Sequence, residues 1–313
     1  MPAAGPTLAT LPNPALRYFL ATRPPFLGVT LFACLIGLAT AFASSVSIRT
    51  TTAIITIVFA LMAHAGINVL NDYYDALNGA DANNTERIFP FTGGSRFIQN
   101  GVLSLRETVM FGAALIAVVI AAGICLTTVS APALLWISMA GLVIGWAYSA
   151  PPLKLNSCGT GEACIGAGFA LIAVGADFVQ RGSFAVLPLV AVTGYALLVT
   201  NIFFINQLPD RKADEAAGKH HWVVRLGAPR ARWCNSVIAC AAYLWLSGAV
   251  ITDMLPWPAL IALLPAFLSL RAARDLVRYA EAPAKLAPAI QLTIGAASLH
   301  GILLAAALVA ARF

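Results

Sequence analysis

Polar and apolar positions along this chain alternate in long blocks, without the short periods of a soluble domain. Apolar windows of about twenty residues, the length that crosses a bilayer core, recur almost from end to end. They fall near 25–44, 51–70, 108–127, 131–148, 162–180, 184–206, 234–252, 256–270 and 288–311. The pattern predicts an all-α fold, a polytopic membrane bundle of about nine transmembrane helices. The eighth window is short and carries Pro256, Pro258 and Pro265, which weakens it as a helix. Residues 1–22, rich in Pro and Ala with no base before Arg17, read as a loose cytoplasmic N-terminal tail without a cleavable-signal pattern. The whole of 1–313 reads as one integral-membrane domain.

Composition agrees with this pattern. Of 313 residues, 60% are hydrophobic and 10% charged, with mean hydropathy +0.84, whereas soluble domains are about a quarter charged. Charge adds an orientation. With the N-terminus placed inside, sixteen of the nineteen Lys and Arg residues fall in inner segments, and Arg49, Arg181 and Arg312 fall outside. That bias predicts a cytoplasmic N-terminus and an odd number of crossings. The net charge of +6 is therefore an orientation signal and implies no nucleic-acid partner. The six cysteines show no CxxC pair and read as small buried apolar residues. His64 and His300 read as packing residues inside helices, and His220 and His221 as solvated loop residues.

Acids are scarce, yet they concentrate in two stretches. In "NVLNDYYDALNGAD", residues 68–81, Asn68, Asp72 and Asp75 are spaced i, i+4, i+7 and share a face if the second helix continues through them. Gly79 would end that helix and let Asp81 curl back. In "NQLPDRKADEAAGK", residues 206–219, Asn206, Asp210 and Asp214 form a second stripe, with a new helix expected to begin at Pro209. Both stretches contain Asn-x-Leu-x-Asp, 138 residues and four expected helices apart, so both loops fall on the cytoplasmic face as a weak internal repeat.

Converging carboxylates repel unless a cation binds them, and an oxygen-only donor set favours Mg²⁺ with phosphate oxygens in its remaining positions. Arg87, Arg96, Arg211, Lys212, Lys219 and Arg225 lie in the same loops to neutralise a phosphate ester. No G-x-x-x-x-G-K-[ST] loop exists, and "GTGEACIG" at 159 opens a membrane helix without a preceding strand. An amphipathic ester fits best, with diphosphate among the loops and hydrocarbon among the helices. A transporter would place acids along helix midplanes, and here the helix interiors are nearly free of charge.

These residues resemble the UbiA superfamily of intramembrane prenyltransferases, whose two motifs match the stretches quoted. "FTGGSRFIQNGVLS", "YSAPPLKLNSCGTGE" and "AAGKHHWVVRLG" further resemble the 1,4-dihydroxy-2-naphthoate polyprenyltransferase branch of menaquinone biosynthesis, while Pro209 and "KHHW" depart from the usual pattern. The resemblance implies nine helices in an inner plasma membrane. It implies a polyprenyl diphosphate donor and a small aromatic acceptor as partners, and Mg²⁺ held by Asp72, Asp75, Asp210 and Asp214. Asp81 would assist through water or a basic partner, and Asn68 and Asn206 would orient carboxylates or touch the diphosphate. Tyr73, Tyr74, Tyr148 and Phe204 would shelter an allylic cation. Arg96 and Lys154 would steer an acidic acceptor or the diphosphate. A membrane terpene cyclase without an acceptor, or a transferase for another aromatic ring, would share these residues.

Overall fold

A computed structural model describes residues 5–311. Among them there are eleven α-helices and no strand: α1 Pro14–Ala21, α2 Pro24–Ala43, α3 Thr50–Asn78, α4 Leu105–Val129, α5 Leu134–Ser149, α6 Gly161–Arg181, α7 Leu187–Ala216, α8 Trp222–Leu226, α9 Ala228–Ile251, α10 Ala266–Tyr279 and α11 Ala287–Ala311. Among the described residues, seven of these (α2, α3, α4, α6, α7, α9 and α11) are long and apolar enough to cross a membrane. The chain is a multi-pass membrane bundle, and the two remaining windows of the expected nine hold shorter elements. α5 is apolar with only 16 residues, short of the roughly twenty a full crossing needs. The eighth window divides into a 3₁₀ segment, Trp257–Leu263, and then α10. Prolines at 256, 258 and 265 each lack the N–H an α-helix would use there. α10 is amphipathic, with Ala272, Ala273 and Leu276 buried and Arg271, Arg274 and Arg278 exposed.

Lipid tails are as apolar as leucine, so membrane helices associate through close packing. α7 runs through the centre of the bundle, and Tyr195, Leu198, Val199 and Ile202 pack there with Ile36 of α2 and Leu304 of α11. At Gly37 the carbonyl of Ala173 lies so near that a Cβ would collide with it, which brings α2 and α6 into backbone contact. At the α6 C-terminus, Arg181 grips Asp177 at 2.7 Å and Thr40 Oγ1 donates to the same carboxylate at 3.0 Å. Arg49 Nη2 donates to the Val179 carbonyl at 3.0 Å. Arg49 and Arg181 thus share the end remote from the acidic stretches, and Arg312 lies outside the described residues.

Three local expectations are corrected. Residues 5–22 do not form a loose tail. Asn13 caps α1 through the Ala15 N–H at 2.9 Å, and Leu11 and Ala21 are buried against Phe97, Val102 and Leu103. Tyr18 and Leu20 pack against the same cluster, while Leu8, Leu16 and Phe19 stay exposed, so the buried positions do not stand out in the sequence. α7 continues unbroken through Pro209 because Ile205 and Leu208 on the flanking turn are locked into a core with Val223, Leu276 and Ile290. The cysteines are all free, but only Cys34 is buried; Cys125, Cys158 and Cys240 are exposed. α3 does run on through the first acidic stretch and ends at Gly79, whose φ of 79° is the left-handed cap geometry.

Candidate active site

The continuation of α3 to Asn78 and of α7 to Ala216 carries both acidic stripes past the apolar zone to one end of the bundle. Between them opens a cavity of about 610 Å³. Its deep walls are apolar, with Phe59, Ile120, Leu142, Phe169 and Ile172 contributed by α3, α4, α5 and α6. Its polar end is lined by Asp75, Asp81, Asp210 and Asp214, with Asn68, Asn206, Lys219 and Arg23 beside them.

Side chains from both halves of the chain join there. Lys219 Nζ lies 2.9 Å from Asp75 Oδ1 and 3.0 Å from Asp214 Oδ1. Asp214 also faces His221 Nε2 at 3.1 Å. Asn84 Nδ2 donates to Asp210 Oδ1 at 2.5 Å, and the Gly93 N–H donates to Asp210 Oδ2 at 3.1 Å. Arg23 is paired with Asp72, which also accepts from the Ser95 N–H at 3.3 Å. Arg96 donates to the Asp81 carbonyl. Gly94, at φ 70°, sits where a Cβ would strike the Asp81 carboxylate, so the 92–95 loop can pass only as glycine.

Charge sharing decides the protonation states here. Burial alone would lower the Lys219 pKa, but Asp75 and Asp214 outweigh it and hold the ammonium above the ordinary lysine range. Burial, and then the neighbouring Asp75 charge, push Asp81 up to about 6 against the pull of Arg23, Lys219 and Arg96.

Several expected site residues stand elsewhere. Asp72 is buried on the acidic stripe and paired with Arg23, which itself lines the cavity. Lys154 and Tyr74 open onto a separate hollow of about 130 Å³. Lys212 pairs with Glu86 at 2.5 Å on the surface, and Arg87 donates to the Asn84 carbonyl at 3.0 Å. Tyr73 packs edge-on against Tyr74, Phe204 sits in the core with Leu286, and of the expected aromatic residues Tyr148 faces the cavity. The sequence reading missed Arg23, Asn84, Gly93 and His221. Arg23 looked like an orientation charge and His221, 2% exposed, like a solvated loop residue. The amide-rich "ANNTE" before the glycine pair was the available signal for Asn84.

Among the described residues, no three acidic, His or Cys side chains converge into a ready metal cage. Also among the described residues, Asp81 Oδ2 and Asn206 Oδ1 are buried without a hydrogen-bond partner. Mg²⁺ is usually held by one or two carboxylates and completed by water and phosphate oxygens, so this all-oxygen, partly unsatisfied donor set fits it.

The model described as the UbiA prenyltransferase family matches residues 30–310. A 1,4-dihydroxy-2-naphthoate octaprenyltransferase of Bacillus subtilis (strain 168) is 26% identical over 61% of this chain, and the match spans only 60% of that relative's length. A 2-carboxy-1,4-naphthoquinone phytyltransferase of Synechocystis sp. is 24% identical, covering 96% of this chain and 95% of its own. Among solved structures, a UbiA homolog from Archaeoglobus fulgidus bound to GPP and Mg²⁺ superposes with TM-score 0.61 at 14% identity, over 92% of this chain and 99% of that one.

Proposed function

Because the chain belongs to the UbiA prenyltransferase family, we propose that it transfers an isoprenyl chain from an allylic polyprenyl diphosphate to an aromatic acceptor. The acceptor proposed is 1,4-dihydroxy-2-naphthoate, as named for the Bacillus subtilis relative, and the reaction proposed is a step of menaquinone biosynthesis. The observation that carries the reading is the polarity of the cavity, with carboxylates and cations at one end and hydrocarbon-lined walls beyond. An ester with a charged head and a long apolar tail satisfies both ends, and few other substrates do.

Asp75, Asp210 and Asp214, with Asp81 and Asn206, would hold Mg²⁺ against the diphosphate, and Asp72 would act through Arg23. Bound Mg²⁺ supplies charge withdrawal from the diphosphate oxygens as they depart. Arg23 and Lys219 present cations to the same oxygens. The allylic C–O bond breaks with its electron pair leaving on pyrophosphate. A ring carbon of the acceptor then donates a π pair to the terminal prenyl carbon, and the ring regains aromaticity by losing a proton or, at a carboxylated carbon, CO₂. Apolar walls keep water from the cation, and the Tyr148 face lies where it can stabilise positive charge. The acidic end is proposed to face the cytoplasm of a plasma membrane, following the distribution of Lys and Arg.

The test is turnover by detergent-purified protein with Mg²⁺ and labelled polyprenyl diphosphate, with and without 1,4-dihydroxy-2-naphthoate. Pyrophosphate and a prenylated naphthoquinol should form only with acceptor, and Asp210→Asn should lower the rate at least ~100-fold, the scale of losing one charge-stabilising group. Pyrophosphate plus a hydrocarbon or alcohol without acceptor would mean a cyclase. Prenylation of 4-hydroxybenzoate in place of the naphthoate would move the acceptor assignment. Intact diphosphate in both tubes would refute the transferase.

A further inference from the structure

At the polar end, beside Tyr148, lies a group of residues that the diphosphate reading does not use. Gln207 Nε2 donates to Glu162 Oε1 at 3.1 Å, tying the last turns of α7 to the start of α6. Gln207 lines the cavity together with Tyr148, Asn156 and Cys164. Among the described residues, Gln207 Oε1 and Glu162 Oε2 are both buried with no hydrogen-bond partner. Tyr148 lines the same end of the cavity as Lys219 and Asp75. The floor of this sub-pocket is fixed. A Cβ on Gly161 would sit 3.5 Å from the Tyr148 ring, and the 155–158 segment is stapled to the 219–225 segment. The His220 N–H donates to the Ser157 carbonyl at 2.7 Å, and Arg225 Nη2 donates to the Cys158 carbonyl at 2.8 Å.

An ionised carboxylate only accepts hydrogen bonds, so the Glu162 contact dictates that the Gln207 NH₂ turns toward it and its carbonyl turns away. The result is a fixed, unpaired acceptor at the wall of the cavity. A buried acceptor without a donor is penalised, and a ligand carrying an O–H removes the penalty. We propose that Gln207 receives a hydrogen bond from a ring hydroxyl of the aromatic acceptor, with Glu162 as the positioning residue that orients the Gln207 amide. The sub-pocket of Tyr148, Asn156, Cys164 and Gln207 is then the acceptor's seat. The inference rests on the aromatic-acceptor reading above and adds the group that selects a hydroxylated ring. A site built around a hydroxyl rejects analogues lacking it far more strongly than a hydrophobic pocket rejects size changes.

Equilibrium binding tests this without turnover. Wild-type protein in detergent, under reducing conditions and without donor, is titrated by calorimetry with 1,4-dihydroxy-2-naphthoate and with its 1,4-dimethyl ether. Wild type should prefer the dihydroxy ligand at least ~10-fold, and Gln207→Leu should reduce that preference to within about twofold, because the two losses share one hydrogen bond and do not add. Glu162→Ala should reduce it similarly, whereas Glu162→Gln, which keeps an oxygen facing the amide, should restore most of it. Binding of geranyl diphosphate with Mg²⁺ should stay within about twofold in all variants, which shows that they are folded. Full discrimination by Gln207→Leu, or no discrimination by wild type, overturns the proposal. Discrimination here with no transfer in the turnover assay would sink the transferase reading alone.

Discussion

Lys219 is 8% exposed, and its ammonium is shared between Asp75 and Asp214, carboxylates on two helices that make almost no direct contact with each other. Removing one member of such a buried set leaves the others uncompensated, at about 3–5 kcal/mol. Lys219→Ala should therefore lower Tm, followed by intrinsic tryptophan fluorescence in EDTA, and excess Mg²⁺ should recover part of the loss by neutralising the same carboxylates. An unchanged Tm in EDTA would show that the bridge contributes nothing. The acids themselves were legible from helical spacing, because Asn68, Asp72, Asp75 and Asn206, Asp210, Asp214 repeat with the α-helical period. What spacing could not show was pairing: Asp72 shares the stripe yet is taken up by Arg23. Nor could it show partners from distant segments, since Arg23 and His221 are ordinary loop residues until the fold brings them to Asp72 and Asp214.

Among the elements, hydropathy located the long helices well and failed where sequence and packing disagree. Prolines split the 257–279 region into a 3₁₀ turn and an amphipathic helix, yet Pro209 did not break α7, whose flanks are held by tertiary contacts. Hydropathy also gave no hint of the polar clasp at the far end, where α2 and α6 meet around Asp177. That carboxylate is 1% exposed and accepts from Arg181 Nε, Arg181 Nη2 and Thr40. Asp177→Ala should destabilise by roughly 3 kcal/mol through the stranded guanidinium, read as a lower Tm in the same fluorescence assay. Geranyl diphosphate affinity measured at low temperature should be unchanged, because the clasp stands at the opposite end from Asp75 and Asp210. A loss of affinity equal to that of Asp210→Asn would contradict this separation of roles.

For the whole molecule, sidedness is the first question. Ala82 and Ala216 are exposed beside the two acidic stripes, so single cysteines there, in a background without the native ones, should react with an impermeant maleimide from the same side only. Labelling from outside in sealed cells would reverse the proposed cytoplasmic placement. The second question follows from the distance along the chain between groups that touch. Asn84 meets Asp210 across 126 residues and Gly93 meets it across 117. Contacts between such remote segments require the intervening chain to be in place first. During synthesis α1 to α6 can therefore insert and pack while the first acidic stripe still lacks its counterparts, so the site is completed late and all at once. Severing the exposed 183–186 connection between α6 and α7 leaves each fragment with one stripe and no site. Two fragments produced together in one cell should reassemble and bind geranyl diphosphate with Mg²⁺, and either fragment produced alone should not.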